Sequence, residues 1–140
     1  MKILDVPGWR YYVNELKYTE LDKTKTGKWM YFFKGSEGKE FVDKCCRETV
    51  EQGIVWEAKN SDGLEGVACF YLNIDDTERH KRIIQYFVDH GMIRRTKAGK
   101  LFNISFKLDE QTRAGDYGDD FKAELKLADL MDLSTGKWLI

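Results

Sequence analysis

The sequence predicts one α+β domain, with helices packed on one face of a mostly antiparallel sheet. Three observations carry that expectation. Apolar runs of strand length come in hairpin-like pairs, at 54–59 with 67–74 and at 92–96 with 100–108. Two longer stretches, near 37–52 and 76–90, place apolar residues at helical spacing and link the strands as crossovers. No Pro-rich or Ser-rich linker interrupts the 140 residues, so residues 1–140 read as a single domain.

The elements follow in order. Val6 to Tyr18 carries Trp9, Tyr11, Tyr12 and Tyr18 and reads as an edge strand or a packed arm. Asp22 to Gly27 is a polar loop. Trp29-Met30-Tyr31-Phe32-Phe33 is a continuous apolar run, the pattern of a buried strand. Ser36 is placed to cap a helix that runs to about Gln52, with Phe41, Val42, Cys45, Cys46 and Val50 on one side and Gly53 as its terminating glycine. Strands at 54–59 and 67–74 flank a hairpin loop. Asp75 and Glu78 then have the spacing of a capping box for a helix that buries Ile83, Ile84, Phe87 and Val88 and stops at Gly91. Strands at 92–96 and 100–108 are joined by the Lys97-Ala98-Gly99 turn. A last helix is expected over about 119–131, carrying Phe121, Leu125, Leu127 and Leu130.

Composition narrows the function classes. Hydrophobic residues are 42% and aromatics 14%, enough apolar area for a core and too much for a disordered chain. A formal charge of −1 excludes a global basic field for gripping nucleic acid. What remains for a polyanion is a local patch, such as Arg94, Arg95, Lys97 and Lys100. Cys45, Cys46 and Cys69 are odd in number and lack metal-site spacing, so they read as reduced thiols of a cytoplasmic protein. Met1 to Arg10 has no apolar signal segment, and no run is long enough to span a membrane, so no membrane partner is expected.

The binding chemistry is concentrated in a few places. Phe106 to Tyr117 starts as a strand and breaks into a polar loop that carries Lys107, Arg113 and Tyr117. Arg113 offers a planar fork of donors suited to phosphate or carboxylate. Gly27-Lys28-Trp29 is not a phosphate loop, because it lacks the spaced first glycine and precedes a strand. It does set a cation beside a ring at a strand entrance. Trp56 and Lys59 repeat that pairing, with alternation sending Trp56 and Ala58 one way and Glu57 and Lys59 the other. For each cluster the competing reading is a core ring with a solvated charge. His80 and His90 lie on one helix, have no catalytic spacing, and are expected on its exposed side. Asp109, Glu110, Asp116, Asp119 and Asp120 lack the spacing of a calcium loop and enclose Arg113, so neither a metal nor a cofactor is expected.

Four segments occur in a fixed order: Gly27-Lys28-Trp29-Met30, Ala58-Lys59-Asn60-Ser61, Val67 to Asp76, and Phe106 to Tyr117. In them the chain resembles the family of the basophilic leukaemia expressed protein, a domain of unknown function with archaeal and bacterial relatives. That family closes on a Tyr-Lys-Thr-Asp-x-x-Thr-x-Ala-Gly-x-Tyr pattern. Here Phe106 stands in place of the Tyr and Leu108 in place of the Thr. The resemblance implies the fold of the cap-binding translation initiation factor 4E, a curved antiparallel sheet backed by helices. In that wider fold the concave face holds a nucleotide between aromatic rings, with basic residues on the phosphates. Its stacking tryptophans do not map onto this chain residue by residue.

The expected function is therefore a non-catalytic binding domain for an anionic small molecule, a nucleotide or another phosphorylated compound. Its role would be signal reading or sequestration, and sequestration would suit a phage or mobile-element origin. Lys28, Lys59, Lys107 and Arg113 would neutralise the anion, and Trp29, Trp56 or Tyr117 would supply stacking contact. Two rivals stand beside it. One is an enzyme acting on a phosphorylated substrate, with Lys107 as base, Asp109 as orienting acid and Arg113 as anion clamp. The other is a protein-interaction module that uses the aromatic N-terminal arm.

Overall fold

The computed structural model describes residues 1–110 and 123–140. Among these, the strands are β1 (Lys2–Val6), β2 (Trp9–Val13), β3 (Thr26–Lys34), β4 (Glu57–Ser61), β5 (Glu65–Asn73), β6 (Ser105–Leu108) and β7 (Leu125–Lys126). The helices are α1 (Gly35–Glu51) and α2 (Thr77–Asp89). The seven strands form one open sheet in the order β1-β2-β4-β5-β3-β6-β7. Every pairing is antiparallel. The chain is thus α+β, as its periodicity predicts, and none of its described helices is long and apolar enough to cross a membrane.

Both helices cover the same face. On β3, the residues Trp29, Tyr31 and Phe33 point toward them. Tyr31 packs edge-on against Phe41 of α1, and Trp29 packs against His80 of α2. Phe70 of β5 meets Phe87 of α2 at a 5.2 Å ring separation. The helix stripes close this core with Val42, Cys46, Val50, Ile83 and Ile84, all essentially solvent-free. All three thiols are unpaired and buried.

Local chemistry moves several predicted boundaries. α1 begins at Gly35 with Lys34 as its cap residue and no capping side chain, so Ser36 does not cap it. At its far end Gly53 sits at φ 69°, the left-handed conformation in which glycine carries no Cβ penalty. α2 is capped by Asp76, whose carboxylate accepts from the Arg79 N–H at 3.2 Å, while Asp75 instead pairs with Lys25. β4 starts at Glu57 rather than Ile54, because Ile54 and Val55 donate their amides to the Thr49 carbonyl and complete the end of α1.

The expected hairpin at 92–108 is reduced to the Arg95–Leu101 bridge and β6. Met92 donates back to the Phe87 carbonyl and Leu101 to Leu133, while the Phe102–Arg94 and Thr96–Lys100 bonds are what remains of the ladder. The helix expected over 119–131 is not formed in its described part. Leu125 and Lys126 pair with β6, and Leu127–Asp129 is one 3₁₀ turn held by Asp129 accepting the Lys126 amide. Leu125 and Leu127 alternate as a strand does, and that period prevails over the helical one.

Candidate functional site

On the side of the sheet opposite α1 and α2, strand registers fix which residues lie together. One transverse row runs Lys2, Val13, Glu57, Tyr71, Lys28, Lys107. The next runs Leu4, Tyr11, Lys59, Cys69, Met30. Trp9 lies one row further along β2. Three sequence-predicted cations, Lys28, Lys59 and Lys107, therefore share one face with the rings of Trp9, Tyr11 and Tyr71.

Lys59 sits at the centre. Its Nζ lies 3.8 Å from the centroid of Trp9, 5.5 Å from Tyr11 and 5.9 Å from Tyr71. Among the described residues it has no carboxylate within ion-pair distance and no hydrogen-bond acceptor. Burial pushes its pKa down, and the charge of Lys28 adds to that effect, while Cys69, Asp109 and Glu57 oppose it. The ring faces also favour the ammonium form.

Lys28 lies 5.9 Å from the same Tyr71 ring, so the two ammoniums are no further apart than twice that distance. Lys28 is paired with Asp109 at 3.1 Å. Lys107 stands directly opposite Lys28 across the β3–β6 ladder, and both are more than nine-tenths buried. Like charges facing each other across a ladder repel, and Asp109 offsets that repulsion at Lys28. Burial also raises the Tyr71 and Tyr11 hydroxyls and lifts the Cys69 thiol to about 11, so Cys69 is held as a neutral thiol.

The remaining predicted residues lie elsewhere. Trp29 is fully buried in the core on the helix side, where its Nε1–H donates to His80 Nδ1 at 3.0 Å. Alternation along β3 explains this: only one of the neighbours Lys28 and Trp29 can face the open side. Trp56 precedes β4 and packs beneath the Arg79 guanidinium at 3.6 Å, also on the helix side. That same guanidinium caps the Gly53 and Ile54 carbonyls at the end of α1. Neither tryptophan belongs to the open face. Arg113 and Tyr117 lie outside the described residues.

His80 is the other departure. It was expected on the exposed side of its helix, yet it is 1% exposed, with Nε2–H donating to the Ile74 carbonyl at 2.8 Å and Nδ1 accepting from Trp29. Its spacing to Ile83, Ile84 and Phe87, at three, four and seven residues, is the signal that places it inside. Sequence reasoning missed Trp9, Tyr11 and Tyr71 as the rings of the open face. The clue was the alternation of Trp9 and Tyr11 along β2 and of Cys69 and Tyr71 along β5, with both strands paired to the one that carries Lys59. Among the described residues no three His, Cys, Asp or Glu groups converge as a metal site. No protein-family model matches the chain, and no curated protein matches it.

Proposed function

We propose that the open face binds a small anionic ligand, a nucleotide or another phosphorylated compound, and holds it without turning it over. The observation that carries this reading is Lys59, a half-buried ammonium with three aromatic rings around it and, among the described residues, no anionic partner. A desolvated charge left uncompensated is costly, and a ligand anion would compensate it. Lys28 and Lys107 extend the positive strip, and a flat ring would find contact with Trp9 or Tyr11. The resemblance to the cap-binding fold belongs to this reading. It is supported by an antiparallel sheet that is not closed, with α1 and α2 on one side. A cytoplasmic setting belongs to it too, supported by three unpaired thiols.

The enzyme alternative gains no support here. Asp109 is engaged as the counter-ion of Lys28, and Arg113 lies outside the described residues. Calorimetric titration with ATP, GTP, AMP and inorganic phosphate at low salt tests the proposal. Binding by at least one of these is expected, with Lys59→Ala weakening it about tenfold or more, the scale of one charge-assisted hydrogen bond. The proposal fails if none of the four binds, or if Lys59→Ala binds as tightly as the parent.

A further inference from the structure

The same face carries a second ionisable group without an ion-pair partner among the described residues, of opposite sign. Glu57 lies two residues before Lys59 on the same side of β4, yet the two do not pair, because Lys59 is turned toward Trp9. The Glu57 carboxylate has no hydrogen-bond or ion-pair partner among the described residues. It lines a groove of about 630 Å³ formed with Leu4, Val6, Tyr11, Val13 and Tyr18. That volume is within the range of small-molecule sites.

We infer that this groove is a binding site for a small organic ammonium that carries an apolar or aromatic group. The walls supply apolar contact from Leu4, Val6 and Val13, and the tyrosine faces attract a cation. The carboxylate supplies the counter-charge. Two rim charges, Lys2 and Glu15, are of opposite sign and offset each other. Asp109 adds negative potential at Glu57 and Lys59 subtracts from it. Burial raises the pKa of Glu57 above its ordinary value, and a cation bound beside it would favour the charged carboxylate. The site is at the β1–β2 end of the sheet. The anion site shares Tyr11 with the groove and extends past Lys59 toward β6, so Glu57→Gln, which removes the groove's counter-charge, and Lys59→Ala, which removes the anion's, tell the two readings apart.

The test uses phenethylammonium as probe, with 2-phenylethanol as its neutral counterpart, followed by amide NMR shifts on the whole chain. Saturable shifts centred on Tyr11, Val13 and Glu57 are expected from the ammonium, with the alcohol at least tenfold weaker. Glu57→Gln should weaken the ammonium at least tenfold while leaving the fold intact by its NMR spectrum. Lys59→Ala, which removes a repelling charge, should tighten it. Equal binding of the alcohol, unchanged affinity in Glu57→Gln, or shifts confined to other faces would each overturn the inference.

Discussion

Replacing Trp29 with Phe separates core from ligand face. The change removes the indole N–H that donates to His80 Nδ1 at 3.0 Å, in a site where both residues are essentially solvent-free. A buried acceptor left without its donor costs about 1–3 kcal/mol. Losing about three buried ring atoms costs roughly another 2 kcal/mol at ~0.8 kcal/mol per methylene-sized group. The expected loss is therefore about 3–5 kcal/mol, read by urea denaturation at pH 7.5. The pH dependence adds a second readout. Burial holds the pKa of His80 below its ordinary value, so the unfolded chain takes up the proton first as pH falls. The stability contributed by neutral His80 is full above about pH 6.5, the unfolded value, and is lost as pH falls toward the folded one. In Trp29→Phe the Nδ1 lone pair is released and protonation costs less. The acid loss should then be shallower, and the gap between variant and parent should narrow between pH 7.5 and 5.5. Anion affinity of the folded variant should be unchanged. A variant of parental stability that has lost anion binding would refute this assignment and return Trp29 to the ligand wall.

Two further predictions concern neighbouring features. A Cβ added at Gly27 would meet Phe106 Cε2 at 2.5 Å and the Lys107 carbonyl at 2.6 Å, so Gly27→Ala should destabilise by about 1–3 kcal/mol through overpacking and should weaken anion binding by displacing β6; an Ala variant of parental stability would contradict the close β3–β6 approach. Cys69, with its pKa lifted to about 11 and its side chain buried, should react with a thiol reagent at pH 8 far more slowly in the native protein than after unfolding, when three thiols should titrate; rapid native labelling of Cys69 would show that the open face leaves it accessible.

What could be read in the sequence was set by period. The stripes of α1 and α2 and the apolar run of β3 are long enough to fix both type and place, and the structure has them where periodicity puts them. Short segments misled. Leu125 to Leu130 satisfies both a helix and a strand period, and pairing with β6 decides between them. The segment 92–104 is apolar enough for a hairpin, but Met92 is drawn back to the end of α2 at Phe87 and Leu101 to Leu133, 32 positions away, so the ladder does not extend. For the site, alternation correctly set Glu57 and Lys59 apart from Trp56 and Ala58, since that needs only a strand. It could not say which of Lys28 and Trp29 faced the helices, because an all-apolar run hides its own two sides. Nor could it bring Trp9 and Tyr11 to Lys59, because the β2–β4 ladder joins residues about fifty positions apart.

The proposed anion site is the face bearing Lys28, Lys59 and Lys107, with the rings of Trp9, Tyr11 and Tyr71. An amide NMR titration with ATP on the parent and on Lys59→Ala tests it most directly. The account predicts saturable shifts that follow the transverse rows of the sheet, at Tyr11, Lys59, Cys69, Tyr71, Lys28 and Lys107, with α1 and α2 little affected and the response strongly reduced in the variant. Shifts that cluster on the helices or on the basic turn at Arg94 to Lys100, or a response that survives intact in Lys59→Ala, would contradict it.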